Sequence, residues 1–298
     1  KVVKNHFENL AEFLSDQILD PLGNKLVDQY TEYKESRGDW EDTYRNGLEL
    51  LGFKYERRTE PFRGASGVNH PVLAEAVTQF QAQAYKELLP ADGPVRTQIL
   101  GNLTVQKEDQ AKRVKDFMNW QIMDQMKEYE PEFDQMLFYL PLSGSTFKKV
   151  YYDALLGRAV SKFVPADDLI VPYSANSLED AEAVIQVIKI SENELRKQQV
   201  AGFYKDIELG EPPVTENQLK DTELRLEGIS KDGQEDQYTL YEIHTDLDLE
   251  GYEDRDADGE PTGIKLPYVI TVAQANQKIL SIRRNYRPDE RLRKKINY

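Results

Sequence analysis

Apolar residues recur every three or four positions through most of the first half of this sequence, a spacing typical of amphipathic helices. The first 50 or so residues follow this spacing and predict helix, with Gly52 as a stop signal. The apolar positions that define the pattern here are Leu22, Leu26, Tyr30, Tyr33, Tyr44, Leu48 and Leu51.

Three more helices are predicted before residue 145. Asn69 can cap the first, with Pro71 in its first turn and Pro90 just after its end. A short strand is predicted over 95–100, ahead of the second helix, and Pro131 begins the third. We expect their apolar stripes to be core faces rather than contacts between subunits. These stripes are Leu73, Val77, Phe80, Ala84 and Leu88; then Val114, Met118, Ile122, Met126 and Tyr129; then Phe133, Met136, Leu137 and Leu140.

From Ser145 onward the pattern changes to short strands separated by turn residues. A capping box from Ser191 to Glu194 predicts another helix, and helix is also predicted over 216–228. The remaining runs read as an antiparallel meander. The predicted fold class is therefore α+β: a helix-rich N-terminal half packed with a mainly antiparallel sheet. We divide it into an N-terminal helical segment, residues 1–58, and an α+β domain, residues 59–298.

One strand alternates clearly. Tyr241, Ile243 and Thr245 share one face, and this pattern predicts that Glu242 and His244 lie on the opposite, solvated side. The alternative is that His244, with the acids beside it, presents a nitrogen and carboxylates to a metal. The chain contains only three histidines, which argues against a site with several of them.

The stretch EDRDADGEPTG raises the same question. Asp254, Asp256 and Asp258 alternate like the start of a calcium loop, and Gly259 follows. The twelfth position of such a loop should be Glu, but it is Lys265. We therefore predict a turn between two strands. Two alternatives remain: a metal-dependent hydrolase or nuclease that uses these acids with His244, and a calcium-stabilised binding module.

Composition narrows the possibilities further. The 298 residues carry a formal charge of −15, from 53 acidic and 38 basic side chains, which disfavours tight wrapping of nucleic acid. There is no cysteine, which excludes disulfides, thiolate metal sites and a cysteine nucleophile. No apolar run is long enough to cross a bilayer, so we predict no membrane partner.

A basic stretch, RRNYRPDERLRKK, lies near the end of this acidic chain. It is either a solvated segment of mixed charge or a contact for nucleic acid or a protein partner. Its basic residues are Arg283, Arg284, Arg287, Arg291, Arg293, Lys294 and Lys295.

Catalytic motifs do not emerge from the sequence. The glycines before the helix at residue 71 lack the Lys-Ser/Thr of a P-loop, and no G-x-S-x-G elbow is present. We expect that the protein is not an enzyme and that it needs no cofactor.

Five segments carry a resemblance to a known family. They are PFRGASGVNHPVLAEAVTQFQAQAYKELLPADGPVRTQILG, FDQMLFYLPLSGSTFKKVYYD, VSKFVPADDLIVPYSANSLEDA, GEPTGIKLPYVITV and ILSIRRNY. Together they resemble the portal (head-to-tail connector) proteins of short-tailed, P22-like bacteriophages. The resemblance runs from about residue 60 to the end and is weaker in the first 50 residues.

The resemblance implies a structural virion protein that forms a homo-oligomeric ring, usually a dodecamer, at one vertex of the viral capsid. It implies a channel for packaging and ejecting double-stranded DNA. The implied partners are capsid and scaffolding proteins, the terminase large subunit, which would hydrolyse the ATP, and a tail adaptor protein. Assembly would take place in the host cytoplasm. The chain corresponds to the wing, and we expect it to be an N-terminal portion that ends before the stem and clip.

Overall fold

The computed structural model describes residues 8–51, 62, 70–153, 156–211, 237–287 and 289–298. These residues form six α-helices and nine β-strands, and the fold is α+β with antiparallel sheet, as predicted. The helices are α1 (Asp16–Ser36), α2 (Gly38–Leu51), α3 (Val72–Leu88), α4 (Val105–Trp120), α5 (Tyr129–Ser143) and α6 (Glu192–Val200). The strands are β1 (Phe147–Asp153), β2 (Arg158–Val164), β3 (Leu169–Ile170), β4 (Ala183–Ser191), β5 (Gln237–Leu247), β6 (Leu266–Ala273), β7 (Ile279–Arg284), β8 (Tyr286–Arg287) and β9 (Glu290–Lys294).

The chain divides into two compact units. Unit 1 joins Lys1–Asp42 with Asp167–Ile296, and unit 2 joins Thr43–Ala166 with Asn297–Tyr298. This division differs from the predicted boundary at residue 58. The N-terminal helix α1 packs on strands from the C-terminal half, so it belongs with them in space although it is far from them in sequence.

Unit 1 is built on the predicted meander, a five-stranded antiparallel sheet in the order β3-β4-β5-β6-β7. Its central strands place Ile185, Ile243 and Ile270 in register across one face. That face is buried against α1 through Leu19, Leu26 and Tyr33. The ring of Tyr30 also stacks on that of Tyr241, with 4.0 Å between centroids. The predicted apolar spacing of the first helix is thus a core face.

Asn9 covers the edge of this sheet at β7. Its side-chain Nδ2 donates to Leu280 O at 2.9 Å, and its Oδ1 accepts from Ile282 N at 3.0 Å and from Ala11 N at 3.1 Å. The amide therefore bonds to the strand as a neighbouring peptide group would. This pairing satisfies edge groups that otherwise favour aggregation.

Arg37 links the end of α1 to the start of β3. Its two terminal nitrogens donate to Leu169 O at 3.0 Å and to Asp167 O at 2.6 Å, while Nε pairs with Glu41 at 3.0 Å. A guanidinium has several donors in fixed directions, so one side chain can fix a whole turn of backbone.

Unit 2 contains the β1–β2 hairpin with α3, α4 and α5. Its described core includes Leu89, Phe133 and Leu137, with Tyr85 and Met136 half-buried around them. The stripe predicted on the third helix therefore faces a core. Residues 95–100, predicted as a strand, belong to none of the described strands.

The core prediction is wrong for α4 and for much of α3. All of α4 lies within the described residues, and none of them is buried; Met118 is 42 % exposed. On α3, Val77 is buried but Phe80 and Leu88 are 40 % and 54 % exposed. Periodicity shows that a helix has an apolar face, but it does not show that the same chain covers it.

Three smaller predictions have mixed outcomes. The capping box is confirmed, because the Ser191 hydroxyl accepts from Glu194 N at 3.4 Å at the start of α6. The helix over 114–129 is instead interrupted by a π-helical turn, Gln121–Gln125. The proposed stop at Gly52, the cap at Asn69 and the helix over 216–228 lie outside the described residues.

The closest approach of α1 to the sheet gives a test of the unit 1 core. A Cβ at Gly23 would lie 2.1 Å from Gln277 O, in the turn between β6 and β7. We expect Gly23→Ala to lower the free energy of unfolding by about 1 to 3 kcal/mol, because backbone must move to make room. The measurement is urea denaturation followed by circular dichroism.

Gly47→Ala in α2 is the matched control. Apart from its chain neighbours and the backbone of its own helix, no atom of the described residues lies within 4 Å of the added Cβ there, so the substitution is expected to stabilise the helix by about 0.5 to 1 kcal/mol. Equal effects of the two substitutions would contradict the close packing of α1 on the sheet.

Candidate functional site

The second face of the sheet carries the residues that sequence analysis singled out, and two segments cover it. At one end Leu240 and Leu280 pack beneath the segment that contains α6 and Tyr204. At the other end β9 lies against β6 and β5. Contrary to the prediction of a solvated face, His244 is only 3 % exposed. Strand β9 of the hairpin β8–β9, which follows the sheet in sequence, contacts β5, the strand that carries His244.

His244 uses both ring nitrogens within the protein. Nε2 lies 2.9 Å from Glu242 Oε1, and Nδ1 lies 2.9 Å from Asn285 Nδ2. Because an amide nitrogen can only donate, Nδ1 accepts and the proton of the neutral ring is on Nε2, donated to the carboxylate. The lone pair that would bind a metal is therefore occupied by Asn285.

Asp246, the next acid on the same face, is paired with the basic stretch. Its Oδ2 accepts from Lys294 Nζ at 2.8 Å, and the same ammonium donates to Glu182 O at 3.3 Å. The Lys294 side chain is 7 % exposed. Asp246 Oδ1 is buried and has no hydrogen-bond partner in the described part of the chain. The ion pair therefore closes the site and leaves one acceptor unsatisfied.

The acidic loop between β5 and β6 is a turn, as predicted. Asp256 Oδ1 accepts from Asp258 N at 3.0 Å and from Glu260 N at 2.9 Å, which closes the turn on itself. Gly259 supplies the positive φ of 88° that this turn requires. The carboxylate of Asp256 thus holds backbone amides.

Asp254 has different partners from the other two aspartates of the loop. Its side chain is 4 % exposed, and its Oδ1 pairs with Arg291 at 2.9 Å. Its Oδ2 accepts from Thr262 Oγ1 at 2.8 Å. The three alternating aspartates thus have separate environments, since Asp258 is exposed at the tip. Across the described residues, no cluster of three or more His, Cys, Asp or Glu side chains could hold a metal.

Two arginines of the basic stretch are used at the end of β7. Arg283 lies over the ring of Phe203 at 4.6 Å and donates to Phe203 O at 2.8 Å. Burial lowers the pKa of its guanidinium. Arg284 lies over the ring of Tyr268 at 4.7 Å and donates to Tyr252 O at 3.4 Å. Both side chains therefore pack locally against aromatic rings.

The remaining cations belong to the hairpin and its end. Arg287 pairs with Glu179, and Arg293 pairs with Glu290 at 3.3 Å on the same strand. Lys295 is exposed, and its ammonium has no ion-pair partner among the described residues. Arg291 and Lys294 bind the acids described above. The basic stretch thus lies against the candidate metal residues and neutralises two of them.

The comparisons with known proteins add no family. The sequence matches no protein-family model and no curated protein. Across the part of the chain that the structure describes, every helix is too short or too polar to span a lipid bilayer.

Asn285 is the residue of this site that sequence analysis missed. It immediately follows β7, and besides contacting His244 it donates to Lys295 O at 3.0 Å. Its backbone N donates to Pro267 O at 3.0 Å. The sequence did contain one sign of this role: Asn285 is an amide residue inside the basic stretch, and it stands at the end of a predicted strand. That signal becomes specific only when the strand that carries His244 is known to lie beside it.

Unit 2 contains a lysine whose pKa is shifted by its surroundings, Lys148 on β1. Its Nζ lies 3.4 Å from the ring centroid of Tyr129 and 4.9 Å from that of Phe133, both on α5. The ammonium is buried and has no hydrogen-bond acceptor in the described residues. Burial lowers the pKa of Lys148 from 10.5 to about 8, although Glu132 and Glu128 act to raise it. The two rings supply attraction but no acceptor.

The ion pair in unit 1 gives one test. We expect Lys294→Met to lower the free energy of unfolding by about 1 to 3 kcal/mol, because it leaves the Asp246 carboxylate without its counter-ion. Lys295→Met next to it is the matched control, and it is expected to change stability by less than about 0.5 kcal/mol. Urea denaturation of both variants measures the difference. Equal effects would contradict the assigned role of Lys294.

Lys148 gives a test that depends on pH. The folded protein releases this proton at a lower pH than the unfolded chain does, so the lysine destabilises the fold below about pH 8. Unfolding free energy should therefore rise between about pH 8 and the ordinary pKa of 10.5. Lys148→Met, which carries no charge, should be more stable than the parent at pH 7 by on the order of 1 kcal/mol.

The effect of Lys148 is isolated by subtracting the unfolding free energy of the parent from that of the variant at each pH. The tyrosines titrate in both proteins, so their contribution cancels. The gain from Lys148→Met is expected to shrink as pH rises through the window. A constant difference would show that packing alone, and not the charge, distinguishes the two side chains.

Proposed function

We propose that this chain is a subunit of a portal, the ring-shaped head-to-tail connector of a short-tailed, P22-like bacteriophage. In this proposal it is a structural protein and not an enzyme. Copies surround a channel at the capsid vertex through which double-stranded DNA enters during packaging and leaves during ejection. The terminase large subunit, a tail adaptor, and capsid and scaffolding proteins are its partners.

The observation that carries the proposal is the ordered set of portal-like segments and where they fall in the fold. The five segments cover α3, the α5–β1 connection, the β2–β3 region, β6 and β7 in chain order. They include buried positions of both units, such as Leu137, Ile170 and Ile270. The resemblance therefore involves residues that build the fold, and not only exposed loops whose composition recurs by chance.

The charge distribution also supports a protein that contacts DNA but binds it only weakly. The chain carries −15, and its most basic stretch has much of its charge occupied by Glu179, Asp246 and Asp254 within the same unit. A protein that binds DNA tightly instead leaves its cations free to replace the counterions of phosphate. A channel wall must allow the duplex to slide, so weak attraction suits it.

Exposed apolar surface supports assembly into a larger object. Leu100, Leu103 and Val105 are 82 %, 67 % and 75 % exposed, and farther along α4 Val114 and Phe117 are 45 % and 59 % exposed. Contiguous apolar surface on a soluble protein commonly marks a contact with another molecule. Subunits of a ring bury such surface against each other.

Native mass spectrometry of the full-length protein, in low salt and with or without EDTA, tests the proposal. The expected result is one discrete ring-sized assembly whose mass is the same in both conditions. A monomer or dimer that carries a chelator-sensitive metal ion would overturn the portal assignment and restore the metal-dependent hydrolase. Melting that depends on calcium, without assembly, would point to the binding module.

A further inference from the structure

The helix α4 carries an apolar face that its own unit leaves uncovered. Val114, Phe117 and Met118 follow the three-and-four spacing of one helix face and are 45 %, 59 % and 42 % exposed. Trp120, which is 46 % exposed, contacts Phe117 with 5.7 Å between ring centroids. Side chains at such spacing are the usual anchors of a helix that binds in a groove.

The segment before α4 packs along the side of the helix that carries Ala111 and Asn119, next to Met118, and Phe117 lies on the far side from it. Asn119 bonds to Val95 N at 2.9 Å and to Val95 O at 3.2 Å. Thr97 Oγ1 donates to Ala111 O at 3.2 Å. The segment before α4 therefore packs along that side. Arg113 lies next to the apolar face, and it has no ion-pair partner in the described residues.

The same unit has a groove between α3 and α5 whose apolar and acidic lining is complementary to the apolar face of α4 and to Arg113. It encloses about 620 Å³, and its apolar lining includes Ala82, Pro131 and the ring of Tyr85. Two of its acids are exposed: Glu130, which accepts from Tyr85 Oη at 2.5 Å, and Asp134, which accepts from Gln81 Nε2 at 2.8 Å. An arginine at the edge of an apolar helix would meet a carboxylate here.

We propose that the apolar face of α4 from one copy of this chain seats in the α3–α5 groove of a neighbouring copy. The charged residues that line the groove are Lys86, Glu130 and Asp134, so its net charge is negative and favours the cation Arg113 beside the apolar face. The two surfaces are different patches of one chain, so the contact is heterologous and repeats from copy to copy, as a ring requires. The inference rests on the ring proposed above and assigns the surfaces that close it.

The chain contains no cysteine, so in a crosslinking experiment the only thiols are the ones that are introduced. One full-length variant carries Met118→Cys and another carries Ala82→Cys, and they are mixed, assembled and mildly oxidised. We expect a disulfide-linked heterodimer that forms at least about tenfold faster than with Val200→Cys in place of Ala82→Cys, because docking raises the effective concentration of the thiols. Val200 is the control because it is 76 % exposed and lies on α6 in unit 1. Neither variant should crosslink to itself.

Charge reversal provides a second readout that does not depend on thiol geometry. Arg113→Glu is expected to weaken assembly at least about tenfold, since it places a third acid beside Glu130 and Asp134. Adding Asp134→Lys to the same chain should restore it. Lys295→Glu, a charge reversal in unit 1, is the control and should leave assembly unchanged.

The outcomes separate the two proposals. Assembly with the crosslink and with charge rescue supports the interface. A ring that forms without the crosslink and is indifferent to Arg113→Glu overturns the interface and leaves the portal function standing. A chain that stays monomeric at high concentration overturns both.

Discussion

A β-sheet has two faces, and unit 1 depends on covering the one that carries polar residues. The first face is apolar and packs under α1, as the alternation of β5 indicates. The second face holds His244 and Asp246, which can be buried only if each finds a partner. Asn285 and Lys294 supply those partners from the hairpin that follows the sheet. The segment after β7 therefore supplies the partners of the polar residues on this face of unit 1.

This pairing changes the meaning of two sequence features that look functional when taken alone. An acidic loop beside a histidine suggests a metal site, and a cluster of arginines and lysines suggests a nucleic-acid contact. In the fold Asp254 binds Arg291 and Asp246 binds Lys294. Two of the acids are thus neutralised by two of the bases. The exposed apolar side chains of α4, by contrast, lie in unit 2 and have no such partners among the described residues of their unit.

Much of the architecture followed from local patterns. The apolar spacing of α1, the capping box of α6 and the strict alternation of β5 predicted those elements, because each depends on neighbours a few residues away. The acidic turn was predicted for the same reason. The division into units was not, since α1 joins strands from the C-terminal half. The buried state of His244 was also missed, because alternation shows that a face is polar but not whether another segment covers it.

The sequence by itself determined the fold class, most of the described helices and strands, and the turn at Gly259. These depend on backbone preferences, periodicity and the identity of consecutive residues. Only the tertiary structure decided what each marked residue contacts: that Asn9 covers a strand edge, that Asn285 meets His244, and that α4 leaves its apolar face open. Such contacts join residues up to 273 positions apart. Their formation depends on packing across the whole unit, which no local pattern contains.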